Sequence, residues 1–466
     1  MTARDVQRAG HLSRLTNEVR IWAASSSIDC VTEHDAEYDA RRFVYNRMHD
    51  LRPLAVLSPR SREQVALSLR YAGQLDVPVA VRGGGHHIAG FGTCQDGLVI
   101  DLRHFNDVDI SSSGPEVTVG GGARLRDVDA SLCRRGLVVP TGTVSDTGIG
   151  GLTLGGGIGW LIGCFGLTCD NLIGADVILA NGTHIQASAD HQDVLWALRG
   201  GGGSFGVVTH FRFRAHRLPR CCAGSARVPL SAAAHALTRV LAFLNDECPP
   251  ELTVAPLLFR GPDGIPLLSI DFCLANDHDD SAVERLLKAI GPARLDLRRR
   301  ADFAAWQQNT DPLFLEPLRG YWKGSYRSQL TGADAEDLIA AMETAPTSSS
   351  SILIEHLHGA FCRTGTDTSA FPLRWAKFGV LLSARWQDPR HDRRCVEWVR
   401  RTVGRLDPRG ESGSYSNYSS SDEHRVLRDF NRIPEVRERL LRTKAAHDPR
   451  NLFQRNHLGA ECARRA

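Results

Sequence analysis

From Arg52 onward, short apolar runs alternate with amphipathic stretches, the pattern of an α/β unit. Residues 55–57 read as a buried strand that stops before Pro59. A helix is predicted to begin near Ser61, because Val65, Leu69 and Ala72 recur at spacings that place them on one face. Residues 77–81 return as a strand and run into Gly83, Gly84 and Gly85, an arrangement in which backbone can approach a phosphate because no side chain intervenes. Residues 98–101 and 117–119 read as further strands, and Leu125, Val128 and Leu132 mark a helix. Glycines then crowd into two groups, 148–159 and 200–206, separated by a strand at 176–180 and a turn at Asn181-Gly182. Neither group has the period of a repeat protein.

Beyond about residue 218 the pattern changes. Amphipathic runs such as Leu237, Val240, Leu241 and Leu244 alternate with apolar strands at 267–272, 352–357 and 378–384, which predicts a second domain. A last helix is expected with Pro434 in its first turn and Ile433, Val436 and Leu440 on one face.

Length and composition narrow the class. A chain of 466 residues exceeds one compact core, and 42% hydrophobic with 23% charged residues is the balance of a folded protein. The 56 basic and 53 acidic residues are interspersed, with no basic run or aromatic-basic alternation, so nucleic acid is not an expected partner. No run approaches the roughly 20 apolar residues that cross a bilayer, so no membrane partner is expected. Residues 1–10 lack the apolar core of a secretory signal, so a cytoplasmic location is expected. The 12 cysteines form no Cys-x-x-Cys pair, and neither a disulfide framework nor a metal site is expected.

The glycine runs do not make a dinucleotide fingerprint. Gly155, Gly157 and Gly159 are too densely placed to open a helix after a strand, and no P-loop sequence occurs. The informative blocks act jointly. Residues 81–87 read Val-Arg-Gly-Gly-Gly-His-His, and 148–157 read Gly-Ile-Gly-Gly-Leu-Thr-Leu-Gly-Gly-Gly. To these are added Tyr38-Asp39, Gly-Leu-Thr-Cys-Asp-Asn-Leu at 166–172, Leu-Trp-Ala-Leu-Arg-Gly-Gly-Gly at 195–202 and Asp-Pro-Arg-Asn-Leu-Phe at 448–453. In this order, across nearly the whole chain, they resemble the blocks of the berberine-bridge-enzyme-like branch of the FAD-linked oxidases, within the vanillyl-alcohol-oxidase superfamily.

The resemblance implies an α+β, two-domain PCMH-type FAD-binding fold. Residues 1–215 would form the main part of the FAD-binding domain, 216–425 a substrate domain of antiparallel sheet flanked by helices, and 426–466 a return to the first domain. It also implies a covalent flavin. Matching the family's Arg-x-Gly-Gly-His at Arg82 assigns the tether to His86, and an electron-withdrawing tether raises the flavin's reduction potential and prevents its loss. By themselves the residues leave His86 open to a plain backbone hydrogen bond. His87 stands where relatives often carry serine and reads as a polar loop residue.

Many relatives carry a second tether, a cysteine, at the position of Val144. The resemblance therefore implies a bacterial, singly tethered member, less suited to bulky sugars, with Cys164 and Cys169 as ordinary buried cysteines. It places Gly83, Gly84, Gly85, Gly148, Gly151 and Gly155 beside the cofactor as bare backbone. Gly156, Gly206 and Val208 follow on the same ground, although a tight turn explains any single glycine equally. Tyr415-Ser416-Asn417-Tyr418 matches the family's Tyr-x-Asn-Tyr, which puts Tyr415 and Asn417 at the cofactor and makes Tyr418 the candidate general base.

A free phenol titrates near about 10, so Tyr418 serves only if its surroundings lower that value; a packed core tyrosine is the alternative. Asn456 falls where relatives contact the flavin pyrimidine, although their following glutamine is His457 here. On the strand at 352–357, alternation points Glu355 and Leu357 to one face and His356 and His358 to the other, leaving open which face meets substrate. Arg374 matches a family position and is equally a surface salt bridge, and Tyr321 and Trp322 are expected in the core.

The implied activity is a bacterial FAD-dependent oxidase of secondary metabolism. It would act on a small hydroxylated or phenolic molecule, with hydride passing to flavin N5 and dioxygen as the acceptor. A redox-neutral cyclase on the same fold and a non-catalytic flavin or ligand carrier are the alternatives.

Overall fold

Strands form where apolar runs were expected, and in the computed structural model, which describes residues 3–276, 279–423, 425–459 and 462, they assemble into an α+β structure. Ala55–Ser58, Leu98–Asp101 and Val79–Arg82 pair in parallel, with Asp29–Val31 antiparallel at one edge. Helix Arg62–Leu75 supplies the crossover from Ala55–Ser58 to Val79–Arg82, the parallel strands on either side of Leu98–Asp101. Ser61 caps that helix by accepting from the Gln64 N–H at 3.3 Å, and Val65, Leu69 and Ala72 are fully buried, as their spacing predicts. The glycine loop 83–85 leaves the end of Val79–Arg82, so the parallel sheet fixes its position.

A five-stranded antiparallel sheet follows, in the order Val108–Ile110, Glu116–Gly120, Val207–Arg214, Leu172–Ile178 and His184–Ala187. Two parts of this half depart from expectation. Helix Ala3–Ser25 was not predicted, because its apolar positions are sparse; it is held by Val19 and Ala23 in the core and by Trp22 stacked on Tyr71 at 4.0 Å. Residues Ile149–Gly155 form a short helix despite three glycines among seven residues, since Ile149 and Thr153 are packed and the helix is enclosed by its neighbours.

The remaining large sheet has seven antiparallel strands. Its order is Arg294–Ala301, Cys221–Pro229, Pro266–Leu274, Leu252–Arg260, Ser351–His356, Phe378–Trp386 and Arg319–Arg327. Helices Leu230–Asp246, Gly332–Glu343 and Asp392–Leu406 bury one face in a single apolar core. Phe378–Trp386 is buried at every position, which an antiparallel strand shows only when both faces are covered. The C-terminal helix Pro434–His447 returns to the first half, where Val436 and Leu440 join Trp196, Leu198 and Phe205. Its Lys444 is buried and donates to the carbonyls of Ser204 and Phe453, each at 3.2 Å, and to Asp448.

Candidate functional site

The glycine clusters and the chain end converge on one cavity of about 270 Å³. Gly83, Gly84, Gly85, Gly148, Gly151, Gly155, Gly206 and Val208 all line it. The loops meet closely: a Cβ on Gly84 would stand 2.3 Å from the Gly148 nitrogen, and one on Gly148 would stand 2.3 Å from the Gly84 nitrogen. Arg124 fastens the junction by donating to the Gly84 carbonyl at 2.7 Å and the Asp146 carbonyl at 2.5 Å. At Gly151 and Gly202 the situation is reversed. A Cβ at either would meet no protein atom within 4 Å, so both border open space at the cavity lining, and Gly202 has φ +92°. A bare-backbone cradle that any side chain would fill suits a pyrophosphate or a flat ring, so these residues fit FAD.

His86 lies on the cavity wall with its ring stacked on Tyr45 at 4.4 Å and 17°. Its Nε2 is 3.2 Å from an Asp146 carboxylate oxygen. Burial pulls the imidazole below its ordinary value, against the pull of the hydrogen bond to Asp146. For Asp146, burial acts to raise the carboxyl, but His86 and Arg124 hold it down to about 2. With Nε2 engaged, Nδ1 is the ring nitrogen left for another partner. His87, expected as a loop residue, also lines the cavity; its Nδ1 accepts from the Ala89 N–H at 3.1 Å, and burial lowers it to about 3. Val144 lines the cavity too, and no cysteine does among the described residues.

Arg82 reaches the cavity wall, with its guanidinium paired to Asp101 at 3.1 Å and donating to the carbonyls of Phe43 and Arg41. Three expectations need correction. Tyr415 does not line the cavity: its hydroxyl accepts from the Gly157 N–H at 2.7 Å and the Asn417 amide at 2.8 Å, tying two segments together. Gly156 is likewise off the wall, packed under Phe371 and Tyr415. Arg374 is no surface pair; it meets Asp170 at 2.5 Å with both side chains largely buried. Asn417 and Asn456 do line the cavity, but Asn456 spends its amide on Ser204, Phe453 and Gly459.

Tyr45, Trp322 and Tyr418 make another part of the cavity wall aromatic. Tyr418 donates to one oxygen of Glu355 at 2.9 Å, and Tyr326 donates to the other at 2.8 Å. Sequence reasoning raised Glu355 and Tyr418 separately; the structure brings them into contact and adds Tyr326. As alternation predicted, Glu355 and Leu357 turn to this side, Leu357 packing with Tyr326 and Tyr415. Burial raises the Glu355 carboxyl to about 7, with both tyrosines opposing the shift. Tyr418 is pushed well above the usual phenol value, first by burial and then by the charge of Glu355.

Trp322, expected only in the core, lines the cavity between Tyr45 and Tyr418, with ring centroids 6.2 and 6.3 Å away. A small annex of about 40 Å³ shares Thr143, Ile158 and Phe314 with the main cavity and is lined by Glu355 and His356. Asp146, Tyr45 and Tyr326 carried no motif signal, because each earns its place by contacts across the fold.

The description "FAD binding domain" matches residues 53–188, and the fold as a whole is that of the PCMH-type FAD oxidases. The chain is 25% identical to 6-hydroxy-D-nicotine oxidase from Arthrobacter nicotinovorans, whose structure superposes with a TM-score of 0.82 over 92% of this chain and 97% of that one. BBE-like 1 from Physcomitrella patens shares the fold, with a TM-score of 0.81, 23% identity and coverage of 92% and 96%. By sequence the chain is 28% identical over 463 residues, 98% of its length and 89% of the relative's, to the FAD-linked oxidoreductase aurO of Gibberella zeae. Fold, matched domain and relatives together support an FAD-linked oxidoreductase. Among the described residues no helix is long and apolar enough to cross a membrane.

Proposed function

We propose that the protein is an oxidase that holds FAD through a single covalent bond to His86 and oxidises a small hydroxylated, phenolic or amine-bearing metabolite of secondary metabolism. The observation that carries this reading is one cavity lined by bare backbone, by His86 and by Tyr418, with Glu355 hydrogen-bonded behind Tyr418 and lining the adjoining annex. Bound FAD supplies a two-electron acceptor that passes its electrons on to dioxygen. The protein's part is to seat the cofactor, exclude water and move one proton.

Tyr418 is a poor base alone, because its phenol is pushed up rather than down. Beside Glu355 it becomes a relay: its oxygen accepts the substrate proton while its own proton passes to the carboxylate 2.9 Å away. A carboxyl held near 7 is ionised often enough at neutral pH to receive it. Val144 at the second tether position, with no cysteine on the described wall, supports one bond rather than two. The annex beside Glu355 is small, which favours a compact substrate over a sugar chain.

The visible spectrum before and after acid precipitation tests the reading. Yellow colour that stays with the wild-type pellet and leaves the His86→Ala pellet supports the tether, and colour released from wild type refutes it. Substrate-dependent oxygen consumption separates an oxidase from a cyclase or carrier.

A further inference from the structure

We infer that Cys248, His356 and His358 form a binding site for one zinc-type metal ion, one residue along the strand from Glu355 and outside the main cavity. Their donor atoms lie within 4.8 Å of one another. No sequence motif announces the set, because Cys248 follows helix Leu230–Asp246 while the histidines sit at the far end of Ser351–His356 and just past it. Folding alone brings them together.

The two imidazoles have spare capacity. His358 Nδ1 donates to the His356 carbonyl at 3.1 Å, which leaves the lone pair on Nε2, and that buried atom has no hydrogen-bond partner. His356 Nδ1 is also buried and unpartnered. The residues are only 7% and 9% exposed, and their rings stack at 4.2 Å and 6°. Buried polar atoms normally find partners, so two orphaned nitrogens beside a thiol are an anomaly that a metal ion removes. Burial also keeps both rings in the neutral form that ligates.

The donor types select the metal. One sulfur and two imidazoles, with no carboxylate among them, suit zinc and disfavour magnesium or calcium. On binding, the Cys248 thiol gives its proton to solvent and its sulfur becomes the third ligand. In the metal-free form that thiol donates to the Leu252 carbonyl at 3.2 Å, a hydrogen bond it gives up on binding. The ion would pin the segment after the helix to the strand end that presents Glu355. This inference is independent of the flavin tether and of the reaction.

The test uses the full chain, stripped with a strong chelator, supplied with Zn2+, desalted and measured for metal. Wild type is expected to retain about one equivalent, and Cys248→Ser and His358→Gln less than about a tenth of that. Circular dichroism identifies any variant that fails to fold, and Cys248→Ser, nearly the same shape, preserves the test should His358→Gln fail. Folded wild type that retains no zinc overturns the inference, as does folded Cys248→Ser that retains as much as wild type.

Discussion

The two walls of the cavity work by opposite means. On one, side chains are removed so that backbone itself becomes the surface; Gly151 and Gly202 border open space, while Gly84 and Gly148 use their bareness to let two loops touch. On the other, Tyr418 on the wall is joined to two side chains behind it, Glu355 and Tyr326, in one hydrogen-bonded group drawn from separate strands and a late loop. The first wall is suited to holding a cofactor and the second to handling a proton. A change on one wall should therefore spare the other's task.

Gly202→Val is the severest way to break that division. A β-branched residue at φ +92° is strained, and its side chain takes up open space at the cavity lining, so the purified protein is expected to be colourless while its far-ultraviolet dichroism is kept. Normal flavin content in this variant would show that the glycine wall does not hold the cofactor. Tyr418→Phe should leave the flavin spectrum unchanged and lower kcat by about 10²- to 10⁴-fold, the usual range for a lost acid-base group. A fall of less than about tenfold would remove Tyr418 from the relay.

The smallest effect sharpens the comparison. Burial raises Glu355 and its two tyrosine donors lower it, for a net value of about 7, so activity that needs the carboxylate should rise with pH through about 7. Tyr326→Phe removes one of the lowering contacts, so the rising limb of kcat/KM should move to higher pH. A limb that stays in place, or moves to lower pH, would mean that another group sets it.

The sequence made the glycine wall easier to read than the tyrosine wall, for a physical reason. A wall of backbone is written locally, as runs such as 83–85 and 148–157, and almost every residue named there reaches the cavity. Even so, a run cannot say which member faces the ligand: Gly155 does and Gly156, packed under Phe371, does not. A wall of side chains is written as single residues far apart. Alternation along Ser351–His356 separated Glu355 from the histidines but gave no sign of Tyr326, which reaches the carboxylate only through the pairing of Arg319–Arg327 with Phe378–Trp386. Asp146 was equally hidden, since its meaning comes from His86, 60 residues earlier.

The cavity wall contains both Val79 and Leu458, and Lys444 ties the chain end to the Ser204 carbonyl beside the glycine lip. The ribosome must therefore have made and released residues on both sides of some 380 intervening positions before the cradle exists. Until its last residues emerge, the growing chain has no complete cavity, so a cofactor that needs the whole wall is expected to enter only the finished chain.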